Sequence, residues 1–297
     1  MKFEGMNILE FGAFFPDDDS CKQYLADKKW SVGFACPRCK HDKFCESSDP
    51  FTRVCRKCKH TESSTAGTLF HKVKFGLRKA FHIVFEMSNT TKSMSSVQVS
   101  KRYGIRQATA WLFMQKVRLA MKSSGKNPMD GTVHVDEFVV GQKEAGKRGR
   151  TYDSSKSKVA IAVELTPDKK VKRVYMNKIE DYSSKSLKPL FENHISRTAQ
   201  VLTDGWRGYT PLSGGWNMTV EESDPGKNFK ELHVVVQTVK SWLRTIPGHV
   251  SKKHIQKYLD EFCYRINRSQ AKETIFDNLV NKLVGHAPVC YSEIKCT

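Results

Sequence analysis

Thr132-Val-His-Val-Asp-Glu-Phe-Val-Val140 decides how the second half of this 297-residue chain is read. It is rich in β-branched and aromatic residues and reads as a strand, with Asp136 in the middle of an otherwise apolar run. Val159-Ala-Ile-Ala-Val-Glu-Leu165 and Val171-Lys-Arg-Val-Tyr-Met176 read as two more strands, joined by a Thr166-Pro-Asp-Lys turn. A helix over 183–196 would turn Leu187, Leu190, Phe191 and Ile195 inward, and Ala199-Gln-Val-Leu-Thr-Asp204 is a fourth strand ending at Gly205. A short strand near 217–221 and helices over 232–245 and 250–265 complete an alternating pattern, which predicts an α/β domain on a mixed sheet.

In such a sheet the first and fourth strands can lie side by side, which brings Asp136 and Asp204 to one edge of a cleft. Paired carboxylates repel unless a cation bridges them, and Mg²⁺ or Mn²⁺ is the usual bridge. Two such ions activate a water or a 3′-hydroxyl and stabilise the leaving oxygen in phosphodiester chemistry. Each acid also has a plainer reading. Asp136 shares a parity with His134 and Phe138 and could lie on a polar strand face; Asp204 could form a turn before Gly205.

Upstream, Cys36-Pro-Arg-Cys39 and Cys55-Arg-Lys-Cys58 stand fifteen residues apart. Two such knuckles read as a structural zinc ribbon, four thiolates closing a tetrahedron with no open position for chemistry. The ribbon is expected over 33–70, after a lead-in over 1–32 in which Asp17-Asp-Asp-Ser20 caps a short helix. His60 and His71 are alternative ligands that four cysteines make unnecessary. Arg38, Lys40, Arg53, Arg56, Lys57 and Lys59 make the ribbon basic. Residues 71–124 read as helical, opening on a stripe of Phe75, Leu77, Ala80, Phe81, Ile83, Val84 and Phe85. Within them Met94–Trp111 fits a helix-turn-helix with Gly104 in the turn, which would place Arg106, Gln107 and Thr109 at the start of a DNA-reading helix. An ordinary helical hairpin would show the same pattern.

Fifty Lys and Arg against thirty-one Asp and Glu leave a net charge of +19, which favours a polyanionic partner, DNA before membrane. No apolar run reaches the ~20 residues of a membrane span, and Met1–Phe15, with Glu4 and Glu10, does not read as a secretory signal. Nine cysteines without framework spacing suit a reducing compartment, and no internal repeat is evident. The loop Lys143–Arg150 offers Lys147, Arg148 and Arg150 to DNA phosphates or to solvent, and Lys252, Lys253 and His254 open the last large helix in the same way. Trp206 and Trp242 read as core residues or as stacking platforms for a frayed base.

Three ordered stretches carry a family resemblance: Val133-His-Val-Asp136-Glu, Val201-Leu-Thr-Asp204-Gly-Trp-Arg-Gly-Tyr209, and Val250-Ser-Lys-Lys-His-Ile-Gln-Lys-Tyr-Leu-Asp-Glu-Phe-Cys-Tyr-Arg-Ile-Asn267-Arg. Together they resemble bacterial insertion-sequence transposases of the DDE superfamily, in the branch with an N-terminal zinc ribbon related to Merlin elements. The resemblance runs from the ribbon to about residue 285. It implies an RNase H-like mixed-sheet catalytic domain over 131–285, after the ribbon and the helix-turn-helix-like region and before a tail over 286–297. It also implies structural Zn²⁺, catalytic Mg²⁺ or Mn²⁺, element ends and target DNA as partners, a homo-oligomer on DNA, and a place in the bacterial cytoplasm at the nucleoid.

Carried onto this chain, the first two catalytic acids are Asp136 and Asp204. Counted from His233, the third slot falls on Thr238, where relatives have Glu or Asn, and a neutral hydroxyl would hold a second ion weakly. Glu231 and Glu261 are acids outside the motif, and Lys240 or Arg244 would be the basic residue that follows the third slot. Asn267 would brace the last helix. The resulting expectation is a transposase that binds terminal inverted repeats and catalyses metal-dependent strand cleavage and transfer. The rivals are a decayed DNA-binding relic, which Thr238 favours, and a divalent-metal nuclease of the same fold. No nucleophile with an arginine cluster supports a serine or tyrosine recombinase.

Overall fold

The computed structural model describes residues 6–90, 92–141, 156–222, 224, 228–246 and 250–296. The chain divides into two compact units, Met1–Met121 with Ala271–Thr297, and Lys122–Gln270.

The first unit opens with helices α1 (Ile8–Phe14) and α2 (Asp18–Lys29). Asp17 caps α2 by accepting the Ser20 amide at 2.8 Å. A three-stranded antiparallel sheet follows, β1 (Phe44–Glu46), β2 (Thr52–Cys55) and β3 (Thr61–Ser63). The Lys29 ammonium ties α2 to this sheet, donating to the carbonyls of Ser63 (2.9 Å) and Ala66 (2.6 Å) and pairing with Glu62 at 2.6 Å. Three helices come next, α3 (Leu77–Asn89), α4 (Ser96–Tyr103) and α5 (Gln107–Met121). Ser95 and Gln98 form a capping box on α4, and Gly104 ends it at φ 60°, left-handed backbone that a side chain would resist. Two helices joined by a glycine turn, α4 and α5, thus stand where the helix-turn-helix or helical hairpin was expected.

The second unit is built on a five-stranded sheet. Strands β4 (Thr132–Val140), β5 (Ser157–Leu165) and β6 (Val171–Ile179) form an antiparallel meander. Helix α6 (Ser184–His194) then crosses to β7 (Gln200–Thr203), which pairs with β4 in parallel. A 3₁₀ turn over Arg207–Leu212 leads to β8 (Asn217–Val220), parallel to β7. The order is β6-β5-β4-β7-β8. Every residue of β5, an interior strand, is buried, as expected for a strand covered on both faces. Val133, Val135 and Val201 face one way, onto Leu187, Leu190 and Phe191 of α6. Phe138, Ile161 and Val174 face the other way, onto helices α7 (Lys230–Arg244) and α8 (Ile255–Ile266).

Helix α8 also closes the outer edge of the sheet. The Asn267 amide accepts from Val174 N at 2.7 Å and donates to Val174 O at 2.9 Å, as a neighbouring strand would. Gln256 does the same further along, accepting from Lys178 N at 2.7 Å and donating to Met176 O at 3.0 Å. Two side-chain amides thus occupy polar groups of β6 that would otherwise be open to a foreign strand. The bracing expected of Asn267 is a strand-mimicking contact.

The last two helices, α9 (Lys272–Gly285) and α10 (Tyr291–Cys296), belong to the first unit. Phe276 of α9 is fully buried, and its ring centroid lies 5.0 Å from Phe11, 5.9 Å from Phe81 and 6.0 Å from Phe85. Leu69 N donates to Leu283 O at 3.0 Å. The sheet unit therefore ends at Gln270, short of the expected 285, because the apolar face of α9 completes an aromatic core begun by α1–α3.

Asn267→Ala should destabilise the second unit by about 1–3 kcal/mol, through two lost bonds and two backbone groups left unpaired. The check is a lower urea midpoint with an unchanged slope. A midpoint equal to wild type would mean the edge needs no brace.

Candidate functional site

The first candidate centre is the cysteine set. The Sγ atoms of Cys36, Cys39, Cys55 and Cys58 all lie within 4.8 Å of one another, with Cys36–Cys58 and Cys39–Cys55 at 3.5 Å. Sulfurs about 2.3 Å from one tetrahedral ion would stand roughly 3.8 Å apart, so the set fits zinc. The two knuckles are built alike. Each first cysteine receives the amide of the residue four on, Lys40 or Lys59, at 2.9 and 3.0 Å, and donates its own amide to the carbonyl of His41 or His60, each at 2.9 Å. Lys40 and Lys59 both take left-handed backbone, φ 61° and 56°. Behind this geometry is a repeat of Cys-x-x-Cys-Lys-His that the linear reading passed over. The Cys58 amide pulls the Cys55 thiol down to about 7, toward the thiolate that a metal needs. Histidine ligands are not required.

Two of the ribbon's cations are engaged within it. Arg53 stacks between Trp30 and Phe44, 4.1 Å from each ring, and Arg56 Nε donates to Phe44 O at 3.1 Å. Arg38, Lys40, Lys57 and Lys59 stand exposed on the knuckles.

The second candidate centre lies where β4 and β7 run side by side. Their register pairs Val135 with Thr203, so one step further along are Asp136 and Asp204. Both share parity with residues facing α7, Phe138 on β4 and Leu202 on β7. Asp136 Oδ1 accepts the Glu137 amide at 2.7 Å, and Asp204 Oδ1 accepts the Trp206 amide at 3.2 Å. The site is braced from the opposite face. Buried Tyr209 donates its hydroxyl to Glu137, the residue after Asp136. Burial first, then the charges of Glu137, Asp136 and Asp204, hold its phenol well above the usual range, so it remains a donor. The Trp206 indole donates to Tyr182 O at 2.9 Å. Gly208 is required between them, since a Cβ there would collide with the Tyr182 carbonyl and the Trp206 ring.

Helix α7 completes the arrangement, but not with Thr238. His233 Nε2 lies 3.9 Å from Asp136 Oδ2, with the two side chains 39% and 27% exposed. Lys240, seven residues on and so back on the same helix face, holds its ammonium 5.5 Å from the centre of the Phe138 ring. Burial first, then the charge of Arg244, lowers the Lys240 pKa, while Asp136 pulls it up. Thr238 is five residues past His233, about 140° around the helix. It is exposed, and its hydroxyl donates to Val234 O of its own helix at 2.8 Å. Thr238 is thus turned away from the helix face that carries His233 and Lys240, and it is the His233 imidazole that lies beside Asp136. The available signal was the seven-residue spacing from His233 to Lys240. Glu261 is buried in α8 beside Arg265, and the charge of Glu231 acts on His134.

Among the described residues, the cysteines are the one set of three or more metal-binding side chains whose ligand atoms all lie within 4.8 Å of each other. The acids and His233 form a looser group of oxygen and imidazole donors. Paired carboxylates of this kind would suit hard divalent cations.

The other expected contacts scatter. Arg106 is exposed and Thr109 half-buried at the start of α5, but the Gln107 amide donates to the Ser96 hydroxyl of α4 at 2.7 Å. Trp242 is core, packed edge to face on Phe262 at 5.6 Å. Lys252 and Lys253 are exposed just before α8. Lys147, Arg148 and Arg150 lie outside the described residues. No described helix is long and apolar enough to cross a membrane.

Residues 16–61 match the transposase zinc-ribbon domain and residues 128–267 match the ISXO2-like transposase domain. Over 289 residues the chain is 24% identical to an uncharacterized protein in transposable element ISH50 of Halobacterium salinarum, covering 88% of this chain and 95% of that relative. The order of the strands, with a parallel pair beside an antiparallel meander, is that of an RNase H-like fold, and the chain carries both a transposase zinc-ribbon domain and an ISXO2-like transposase domain.

Proposed function

We propose that this chain binds the terminal inverted repeats of an insertion sequence and catalyses metal-dependent strand cleavage and strand transfer, acting as a homo-oligomer on DNA. The observation that carries the reading is the β4–β7 register, which sets Asp136 beside Asp204 with His233 opposite. These three would hold the Mg²⁺ or Mn²⁺ ions, which when bound activate the attacking water or 3′-hydroxyl and stabilise the leaving oxygen. Tyr209 acts through Glu137 as a positioning residue, fixing the strand that carries Asp136. Lys240, protonated, meets a substrate phosphate beside the acids. The ribbon and α4–α5 supply end recognition, with Arg38, Lys57 and Arg106 toward DNA, and Lys147, Arg148 and Arg150 adding phosphate contacts. The relic reading drew its support from Thr238, and with His233 at the site that support falls away. A nuclease without strand transfer remains an outcome of the test.

On a labelled element-end duplex with a target plasmid, wild type should cleave and join. Asp136→Ala, Asp204→Ala and His233→Ala should each lose about a hundredfold or more, while Thr238→Ala stays near wild type. An imidazole ligand also favours the softer ion, so Mn²⁺ should outperform Mg²⁺, with His233→Glu narrowing the gap. A severe loss in Thr238→Ala with His233→Ala active would reverse the assignment. Cleavage without joined product would make the chain a nuclease.

The purified protein should carry a single zinc that Cys36→Ser with Cys55→Ser abolishes, along with specific end binding. Metal analysis and a binding titration check this, and specific binding without zinc would remove the ribbon from recognition.

Because its folded-state pKa is depressed, Lys240 loses its proton, and the phosphate contact with it, at lower pH than an ordinary lysine. Arg244→Gln removes a repulsive charge, raises that pKa and should move the alkaline limb of the cleavage rate to higher pH. A limb that stays put or moves down would exclude Lys240 as the titrating group.

A further inference from the structure

The first unit contains a groove of about 470 Å³ whose lining includes no residue of either candidate centre. It lies between the segment before α3, the glycine turn and one face of α5. Lys72, Lys74, Lys79, Arg106 and Lys116 line it, with no carboxylate among the lining residues. None of the five has a carboxylate partner among the described residues. Like charges gathered in this way favour an anion between them. Lys116 is half-buried, and burial lowers its pKa, so its ammonium has already given up part of its hydration.

The floor differs from the rim. Phe75 and Phe113 meet edge to face, centroids 5.3 Å apart at 78°. Phe113 is buried while Phe75 is half-exposed, so a fixed ring supports an accessible one. Leu112 and Ile105 add apolar surface, and Thr109, Leu112, Phe113 and Lys116 share one face of α5. The volume is that of a site for one small ligand and cannot admit a duplex. A cationic rim over an aromatic floor meets the two needs of a single nucleotide, ion pairing for the phosphate and stacking for the base.

We propose that this groove takes one unstacked nucleotide of bound DNA, its base against Phe75 and its phosphates among Lys72, Lys74 and Arg106. The inference rests on DNA being the partner of this chain. It divides the labour of α5: the exposed start of the helix meets the duplex, and the face turned to Phe75 holds a base that has left it. Ends where strands are opened would then be preferred to intact DNA.

The test uses the full zinc-loaded chain at low salt and two duplexes of arbitrary sequence, one fully paired and one carrying a single unpaired 2-aminopurine. The unpaired duplex should bind about tenfold more tightly and its fluorescence should be quenched, as one stacked base requires. Phe75→Leu keeps apolar volume but removes the aromatic face. It should abolish the preference and the quenching while leaving paired-duplex affinity within about twofold. Equal binding of the two duplexes by wild type, or quenching that survives Phe75→Leu, overturns the groove assignment and leaves DNA binding intact. Displacement of the probe by polyglutamate as readily as by oligothymidine also overturns it, in favour of an acidic peptide. Failure to bind either duplex removes the DNA reading itself.

Discussion

The parallel pairing of β4 with β7 is the constraint on which the candidate active site depends. Only four residue pairs make that ladder, yet its register decides which side chains stand together just beyond it. Side chains alternate along a strand, so a slip of one residue would leave Asp136 beside Thr203 or Gly205 and turn one of the acids to the wrong face. The surrounding structure opposes such a slip. Helix α6 makes the long crossover that a parallel pair needs. Val133, Val135 and Val201 anchor in its core, and Tyr209 reaches over to Glu137 from the segment that follows β7. Gly208 lets that segment pass close enough to do so. The run Asp204-Gly-Trp-Arg-Gly-Tyr209 thus combines one chemical residue with the parts that hold its neighbour in place.

What could be read in the linear chain was whatever depends on local periodicity. The strands, the knuckles, the glycine turn and the adjacency of Asp136 and Asp204 all follow from alternation, spacing and one topological rule. The residue of α7 that stands beside Asp136 did not. Counting along a motif assigns a position but not an angle, and the difference between Thr238 and His233 is a rotation about the axis of α7. Helix phase becomes visible only when the neighbouring strand is in view, with Asp136 opposite His233 and Phe138 opposite Lys240.

The last of the three stretches that carry the resemblance tells a second lesson. Gln256 and Asn267 are two polar residues within that ordered motif. In the fold they are substitutes for a sixth strand, and their value is that they let the sheet stop at β6. A sheet with one edge sealed in this way can gain a partner strand only beyond β8, where Asn217, Thr219 and Val220 are exposed.

Helix α9 gives the chain an unusual order of completion. Phe276, Leu279 and Leu283 are buried in a unit whose other large part is the first 121 residues of the sequence. A chain emerging from the ribosome supplies every strand of the sheet before it supplies the helix that closes its beginning. The middle of the protein can be finished while the start is still waiting. A product released early, just past Gln270, would carry the whole five-stranded sheet with Asp136 and Asp204, joined to a ribbon and helices whose aromatic centre is missing a ring.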